Sequence, residues 1–254
     1  MRYNRGANAN HCAFFVVIGR ALRQVMLMIA AHSRHLPLTF AGNSFEVVGS
    51  KALYWPARNA LIVADLHLEK ASWFAKRGQM LPPYDSLATL ERLAQLIDEA
   101  GAREIWCLGD NFHDDAGTER LGGKAKVLLT QMIAQTNWHW IVGNHDEHLP
   151  DQVGGRIEEE ALVEGLVLRH RANVADQRPE LSGHFHPKYR AAARGHGVSR
   201  PCFVRSATKL IFPAFGAFTG GLAADHPEIT AAVGPRYEAL IPTTTRLLCF
   251  PSSI

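Results

Sequence analysis

Three apolar runs in the first two thirds of the chain each have the length of one buried strand. They cover residues 60–68 (ALIVADLHL), 104–108 (EIWCL) and 138–142 (WHWIV). Short continuous apolar runs bounded by turn residues are typical of strands that are covered on both faces. We therefore expect three interior strands.

Two helical patterns separate these runs. The first follows Asp85 and Ser86, either of which can cap a helix, and it ends at Gly101. Its apolar stripe consists of Leu87, Leu90, Leu93, Ala94 and Ile97. The second covers residues 124–135. This β-α-β-α-β alternation predicts parallel strands with helices on their faces.

After about residue 160 the pattern changes to short runs bounded by turns, with no long helix between them. The runs are LVLRH, ELSGHFHP, PCFVRS, KLIFPAF and TRLLCF. They predict a second sheet built from strands and hairpins. Because neither a low-complexity linker nor an internal repeat interrupts the chain, we expect one domain over residues 36–254.

Composition narrows the class of protein. The 254 residues are 47% hydrophobic and 20% charged, which is typical of a globular protein with a sizeable core. The four cysteines form no CxxC pair, which disfavours a disulfide framework or a thiolate zinc site and predicts a cytoplasmic location. No apolar stretch reaches the roughly 20 residues that span a bilayer, so we expect no membrane association.

The first 35 residues differ in pattern from the rest of the chain. They contain apolar runs at 12–19 and 25–31, but arginines interrupt the region and no small-residue cleavage site follows the first run. This pattern does not favour a secretory signal peptide. We interpret residues 1–35 as an N-terminal extension that is either disordered or the product of a misassigned start, with Met28 as the natural alternative.

Side chains that can bind metal follow five of the predicted strands. In chain order they are Asp65, His67, Asp110, Asn144, His170, His184 and His186. Because ligands bind beyond the carboxyl ends of the strands in parallel α/β sheets, we expect these side chains to converge. The D-x-H and H-x-H spacings would place both side chains on the same side of an extended backbone.

This donor set suits two divalent ions. Seven oxygen and nitrogen donors without a thiolate fit manganese, iron or zinc better than a soft metal or calcium, and they are too many for one ion. Two ions and two aspartates leave a net charge of about +2, which attracts phosphate. Such a centre also lowers the pKa of a bridging water to give a hydroxide nucleophile.

The motifs resemble those of a known family. The order D-x-H, G-D-x-x-[D/H], G-N-H-[D/E], H and G-H-x-H is the signature of the calcineurin-like metallophosphoesterases, and every block occurs between residues 65 and 186. The resemblance implies a four-layer α-β-β-α sandwich, in which two mixed sheets lie between outer helices. It also implies a binuclear metal centre at the strand ends.

The resemblance assigns a role to each matching residue. One ion would be bound by Asp65, His67, Asp110 and His186. The other would be bound by Asp110, Asn144, His170 and His184, with Asp110 as the bridge. His145 would act at the leaving-group oxygen as general acid or transition-state stabiliser, oriented by Asp146, and His113 would fix the Asp110 loop from outside the ligand shell. Manganese is the expected metal, and iron and zinc are the alternatives.

The flanking sequence favours phosphodiester substrates. Residues 54–90, the GDNFHD block and residues 209–222 (KLIFPAFGAFTGGL) resemble the bacterial ligase-associated DNA damage response endonucleases, the PdeM family. The resemblance covers most of residues 38–250. It implies an endonuclease or phosphodiesterase that hydrolyses DNA during repair, with a DNA ligase, a helicase and an exonuclease as partners.

Basic and aromatic residues after the first motif are candidates for binding a DNA strand. Lys70 and Arg77 alternate with Trp73 and Phe74, and in this arrangement the cations could hold phosphates while the rings stack on bases. The alternative is that both rings belong to the core of a short helix.

A second basic region surrounds the last motifs. Nine Lys or Arg lie between Arg169 and Lys209 against two acidic residues, which predicts positive charge around the site. Lys188 and Arg190 are the strongest candidates because they follow His186 most closely. The glycine-rich segment 213–221 either walls the substrate cleft or forms a packed turn.

Other functions remain open at this point. A phosphomonoesterase or a small-nucleotide phosphodiesterase would use the same motifs without basic surroundings. A non-catalytic scaffold would be expected to lose ligands, whereas every predicted ligand is present. A protein phosphatase is disfavoured because the GDNFHD block lacks the arginine of GDxVDRG.

Overall fold

The computed structural model describes residues 35–193 and 196–252. The strands are β1 (Leu36–Phe40), β2 (Asn43–Val48), β3 (Ala52–Trp55), β4 (Ala60–Val63), β5 (Glu104–Leu108), β6 (Asn137–Ile141), β7 (Arg156–Glu158), β8 (Glu160–Val163), β9 (Leu166–Arg169), β10 (Glu180–Ser182), β11 (Lys188–Ala193), β12 (His196–Pro201), β13 (Phe203–Arg205), β14 (Lys209–Ile211), β15 (Glu238–Pro242) and β16 (Leu247–Pro251). The helices are α1 (Lys70–Ala75), α2 (Asp85–Ala100), α3 (Gly117–Arg120), α4 (Gly123–Gln135) and α5 (Pro227–Val233), and short 3₁₀ turns cover Pro56–Arg58 and Asp151–Val153.

The first sheet has the strand order β1-β2-β3-β4-β5-β6-β7. Strands β1 to β4 are antiparallel neighbours, whereas β4, β5, β6 and β7 run parallel. The predicted interior strands are β4, β5 and β6, and α2 and α4 follow β4 and β5 in the chain as expected. Parallel pairing brings the carboxyl ends of β4, β5 and β6 to one edge.

The second sheet has the order β16-β15-β13-β14-β10-β9-β8. Its centre contains the parallel pairs β9/β10 and β10/β14, and its other neighbours are antiparallel. The predicted runs after residue 160 form β9, β10, β13, β14 and β16. Strands β11 and β12 form a separate hairpin.

Three apolar clusters define four layers. One includes Leu93 of α2, Leu129 of α4 and Ile105 of the first sheet. A second lies between the sheets and includes Trp106 and Phe203. The third joins α5 to the second sheet. The order helices, sheet, sheet, helix confirms the α-β-β-α sandwich with two mixed sheets.

The start of α2 differs from its prediction. Gly101 ends the helix in a left-handed conformation as expected, but no side chain caps the other end. Asp85 Oδ2 accepts instead from the backbone N–H of Ala71, and Ser86 Oγ accepts from the N–H of Glu69, both at 2.8 Å. The predicted cap is therefore wrong. These side chains satisfy amides at the start of α1 and hold that helix beside the first motif.

The remaining predictions concern the N-terminal extension, membrane-spanning helices and the cysteines. Residues 1–34 lie outside the described residues, so the interpretation of the N-terminal extension stays a prediction. Among the described residues, no helix is long and apolar enough to cross a membrane. Cys107, Cys202 and Cys249 are free thiols, and Cys107 is buried in β5 as its apolar run predicts.

Candidate metal centre

The predicted ligands converge where the two sheets meet. The side chains of Asp65, His67, Asp110 and His186 form one group whose potential ligand atoms lie within 4.8 Å of one another, and Asp110, His170 and His184 form a second. Asn144 joins the second group, because its Oδ1 is 3.0 Å from His170 Nε2. Asp110 belongs to both groups, which is the arrangement expected of a bridging carboxylate.

The distances between these atoms suit metal coordination. His67 Nε2 lies 3.2 Å from His186 Nε2, and His186 Nε2 lies 3.4 Å from Asp65 Oδ1. Two ligands that each lie about 2.1 Å from one ion are about 3.0–3.5 Å apart. In the second group His184 Nδ1 lies 3.1 Å from His170 Nε2. The donor set therefore fits two divalent ions.

The backbone at the motifs is not extended, which corrects the explanation of the D-x-H and H-x-H spacings. Strand β4 stops at Val63 and β10 at Ser182, so both motifs lie beyond their strands. Five predicted ligands have a left-handed backbone: Asp65 (φ 54°), His67 (45°), Asp110 (45°), His184 (73°) and His186 (49°). Asp and His tolerate this region better than most residues, and such strain concentrates at functional sites.

Glycines at the strand ends allow the loops to approach closely. A Cβ at Gly143 would lie 2.2 Å from the Asp110 amide nitrogen, and a Cβ at Gly109 would lie 2.2 Å from His170 Nδ1. Neither contact is sterically possible without a shift of the loop. Close approach therefore explains why glycine precedes the Asp110 and Asn144 motifs.

The imidazoles are prepared to act as neutral ligands. Burial lowers the pKa of His184 to about 4, and the neighbouring His170 adds to the shift. Burial also holds the pKa of His67 well below its usual value. Because metal binding requires deprotonated imidazole nitrogens, these groups are available for binding at neutral pH.

His145 is the exposed imidazole at the centre. Its Nε2 lies 3.9 Å from Asp110 Oδ2, and its side chain is 40% exposed. Its Nδ1 is 3.0 Å from the carbonyl oxygen of His113, so Nδ1–H donates there and Nε2 faces the centre. This position is accessible to a substrate that is bound at the metal groups.

Among the described residues, the hydrogen bonds of Asp146 go to backbone amides and not to the His145 ring, so its role in orienting His145 stays a prediction. Its carboxylate accepts from the backbone N–H groups of Asn111 (2.7 Å), Phe112 (3.0 Å) and Gly143 (2.9 Å). Burial raises the pKa of Asp146 to about 6 despite these bonds. Asp146 therefore joins the Asp110 loop to the Gly143 turn, which is the role that the sequence suggested for His113.

His113 lies outside the ligand groups, next to His67. Its Nδ1 is 3.5 Å from His67 Nδ1, and its ring stacks on His145 with centroids 5.1 Å apart. Trp73 packs edge-on against it at 4.8 Å. His113 therefore contacts a predicted ligand and supplies the carbonyl that holds His145.

The predicted DNA-binding residues of helix α1 differ from one another in exposure. Trp73 and Phe74 are half-buried against His113, so they are neither free rings nor full core residues. Arg77 is exposed, with its guanidinium carbon 3.5 Å from the centroid of Trp73. Lys70 is half-buried, and burial lowers its pKa.

Ion pairs neutralise part of the positive charge that the sequence predicts around the site. Carboxylates away from the centre neutralise four of the predicted cations: Arg169 pairs with Asp176, Arg178 with Asp176, Arg205 with Glu238 and Lys209 with Glu180. Arg190 is exposed on β11. Lys188 is the cation of this run that reaches a cavity beside His186.

That cavity contains two cations that sequence reasoning missed. It has a volume of about 190 Å³, and its lining includes His186, Lys188, Lys51 and Arg92. Lys51 lies in the β2–β3 turn and Arg92 lies on α2. Neither position belongs to a motif, so no sequence signal pointed to them. Residues between Pro213 and Gly220 contribute a wall of this cavity, and the segment also packs on the first motif through Phe215 and Gly216, so both interpretations stay open.

A larger cavity of about 570 Å³ lies at the other group of ligands. Its lining includes Asn144, His170 and the carboxylates of Glu147, Glu159 and Glu160. Arg169 and Arg171 are its cations. The centre is therefore open on two flanks of different charge.

Comparison with known proteins agrees with this geometry. Residues 59–195 match the calcineurin-like phosphoesterases. Among solved structures, the chain is similar to the nuclease MPE of Pseudomonas putida, with 29% identity, coverage of 85% of this chain and 100% of that chain, and a TM-score of 0.66.

More distant similarities involve a phosphoesterase and a sorting protein. Yfce, a phosphoesterase from E. coli, has 15% identity over 75% of this chain and 96% of its own, with a TM-score of 0.38. A single mutant of Vps29 from Entamoeba histolytica has 15% identity over 77% of this chain and 98% of its own, with a TM-score of 0.33. No curated protein matches. Because the family match covers more than half of the chain, the protein belongs to the calcineurin-like phosphoesterase family and is a metal-dependent phosphoesterase.

Proposed function

We propose that the protein is a manganese-dependent phosphodiesterase that cuts DNA internally and acts in DNA repair. The observation that carries the hydrolytic part is the pair of donor groups that share Asp110 beneath an exposed imidazole. The similarity to a nuclease over 85% of the chain supports a nucleic acid substrate. The flanking-sequence resemblance supports the repair role.

Each ligand group has a defined task in this proposal. Asp65, His67, Asp110 and His186 bind one ion, and Asp110, Asn144, His170 and His184 bind the second. Two bound ions supply Lewis acidity toward the phosphoryl oxygens and lower the pKa of water. Manganese suits this mixed carboxylate and imidazole set, and iron and zinc are the alternatives.

His145 acts on the leaving group. The His113 carbonyl accepts from Nδ1–H and fixes the ring, so Nε2 is the atom that faces the substrate. A protonated Nε2 donates its proton to the departing sugar oxygen and then becomes neutral. General acid catalysis of this kind contributes about 10²–10⁴-fold in rate.

Hydrogen bonds between the loops fix the positions of Asp110 and His145 relative to each other. Asp146 holds the Asp110 loop and the Gly143 turn through three backbone bonds. The Asp110 Oδ1 atom in turn accepts from the backbone N–H of His145 at 3.0 Å. The bridging carboxylate and the leaving-group imidazole are thereby joined.

The proposed partner proteins rest on the resemblance alone, and the proposed cytoplasmic location rests on the cysteine pattern. A DNA ligase, a helicase and an exonuclease of the same repair system are the proposed partners, in the cytoplasm. Co-purification of the tagged chain with these enzymes from its own cells tests that part independently of catalysis.

The activity is tested by incubating the purified chain and manganese with three substrates: supercoiled plasmid, bis-p-nitrophenyl phosphate and mono-p-nitrophenyl phosphate. Plasmid nicking and diester cleavage, both lost in Asp110→Asn, are expected. Cleavage of the monoester with an intact plasmid would overturn the nuclease proposal and favour a phosphomonoesterase. An inactive chain that binds no metal would favour a scaffold.

A further inference from the structure

The cavity beside His186 has walls from several separate parts of the chain. Lys51 comes from the turn before β3, Arg92 from α2, and Lys188 from the start of β11. Residues 213–220 of the glycine-rich segment complete the lining. Because His186 belongs to both this lining and the first ligand group, the cavity opens next to the reacting centre.

The glycine-rich segment packs directly on the metal motifs. A Cβ at Gly216 would lie 2.1 Å from the Leu66 carbonyl oxygen, and a Cβ at Gly221 would lie 2.1 Å from the His186 carbonyl oxygen. Glycine is therefore required at both positions for this approach. The wall of the cavity is thus fixed to the loops that carry Asp65 and His186.

The three cations of the cavity have no carboxylate partner within the described residues. Lys188 Nζ donates to the Thr219 carbonyl at 3.1 Å. Arg92 lies over the Phe215 ring at 4.2 Å and donates through an NH2 group to the Phe215 carbonyl. The Arg92 Nε is buried and has no hydrogen-bond partner among the described residues. A buried donor without a partner carries a free-energy cost, so the Arg92 guanidinium is not fully paired within the fold.

The cations also repel one another. Burial lowers the pKa of Lys51 to about 8, and the charges of Arg92 and Lys188 add to the shift. Like charges are held together at a cost that a bound anion would offset. A purely structural role would place acidic groups here, as the chain does around Arg169 and Lys209, which share Glu180.

The size of the cavity limits the ligand. Sites for drug-sized molecules measure about 300–1,000 Å³, whereas this cavity measures about 190 Å³. A tetrahedral oxyanion fits, and lysine, arginine and close backbone approach are the groups that recognise phosphate. Because His186 lines the cavity and belongs to the first ligand group, a ligand in the cavity would lie next to the predicted metal ligands.

We propose that Lys51, Arg92 and Lys188 bind a second phosphate of the substrate strand, next to the phosphate that is hydrolysed. The proposal rests on the proposed DNA phosphodiesterase activity and makes it directional, because the strand is held on the His186 flank of the centre. It distinguishes substrates with several phosphates from those that carry the scissile phosphate alone.

The test uses the manganese-loaded full-length protein with two substrates. Thymidylyl-thymidine carries a single phosphate, and a thymidine decanucleotide carries neighbouring phosphates. The ratio of kcat/KM for the decanucleotide to kcat/KM for the dinucleotide is expected to fall about tenfold in Lys51→Met. It should stay at the wild-type value in Lys51→Arg and in the exposed control Lys124→Met.

Salt dependence provides a second readout. Each phosphate contact to a single strand contributes about −0.7 to the slope of log affinity against log salt. The slope of log kcat/KM for the decanucleotide is therefore expected to become shallower by about that amount in Lys51→Met, and to remain unchanged in Lys124→Met. The melting temperature of Lys51→Met should equal or exceed that of the wild type, because a repulsive charge is removed.

The outcomes separate this inference from the proposed function. A wild-type chain that cleaves neither nucleotide would overturn both. Wild-type cleavage with an unchanged ratio in Lys51→Met would overturn the phosphate site alone, as would a melting temperature that falls by several degrees. If inorganic phosphate alters dinucleotide cleavage only when Lys51 is present, and the ratio is unchanged, the cavity binds free phosphate and the strand assignment is wrong.

Discussion

The two flanks of the candidate metal centre each contain a cavity, and the charges of the two cavities are opposite. The His186 flank carries Lys51, Arg92 and Lys188, a sum of +3 with no acidic residue in its lining. The His170 flank carries two arginines against three glutamates, a sum of −1 with neutral histidines. A polyanionic strand is therefore attracted to one flank and repelled from the other.

The difference arises from whether the cations of each flank form ion pairs with carboxylates. On the His170 flank, Arg169 is paired with Glu160 at 3.2 Å and with Asp176 at 2.7 Å, so its charge is neutralised by carboxylates of the same chain. On the His186 flank the cations have no such partners within the described residues and remain available for a ligand. The local density of basic residues in the sequence therefore does not distinguish paired from unpaired cations, whereas the ion pairs of the structure do.

The largest expected effect removes the centre that both flanks share. Asp110→Asn changes the one carboxylate that belongs to both ligand groups, so it should lower diester hydrolysis by more than about a hundredfold, because even positioning residues around metals contribute 10–100-fold. Manganese content per chain, measured by elemental analysis, should fall at the same time. The exposed Asp98→Asn is the matched control, and an unchanged metal content in Asp110→Asn would contradict the bridge.

The next effect leaves the metals in place. His145→Gln should reduce kcat by about a hundredfold on DNA, whose leaving group is a sugar alkoxide, while the manganese content remains at the wild-type value. With a good leaving group such as p-nitrophenolate the loss should be smaller, because less proton transfer is needed. An equal loss on all leaving groups would argue against His145 as the general acid and for stabilisation of charge alone.

A smaller effect concerns the His186 flank and pH. The Lys51 ammonium is charged below its pKa of about 8, which is lowered by burial and by Arg92 and Lys188. As pH rises through 8 this charge is lost, so kcat/KM for a decanucleotide should fall about threefold relative to that for a dinucleotide. In Lys51→Met this ratio should be independent of pH over the same range, and a wild-type ratio that rises with pH would contradict the assignment.

The smallest effect concerns the opposite flank. Glu159 is exposed and faces the cavity at His170, so Glu159→Gln should weaken the repulsion and lower KM for a decanucleotide about twofold at low salt. The change should disappear at high ionic strength. A twofold increase in KM would mean that the strand does not approach this flank as its charge suggests.

The sequence predicted the parts of the fold that short-range patterns encode. The apolar runs located β4, β5 and β6, and the helical stripes located α2 and α4. The alternating exposure of β1, in which Leu36, Leu38 and Phe40 are buried, is also encoded by a local alternation of residue types. The predicted cap at Asp85 is wrong because its carboxylate accepts a hydrogen bond from the backbone N–H of Ala71 in α1. No local sequence rule reveals this long-range contact.

The site was predictable to the extent that its motifs are local. Residues at strand ends were expected to converge, and they do. The left-handed backbone of Asp65 and His67 and the bonds of Asp146 depend on how separate loops pack, so spacing alone does not reveal them. Lys51 and Arg92 meet only because β3 and α2 lie beside the glycine-rich segment, which is a property of the fold.

The most direct test of the central claim is the anomalous diffraction of crystals grown with manganese. Two peaks are expected, one among Asp65, His67 and His186 and the other among Asn144, His170 and His184, about 3.5–4 Å apart with Asp110 between them. A single peak, or two peaks that do not share Asp110, would contradict the binuclear centre on which the proposed phosphodiesterase activity depends.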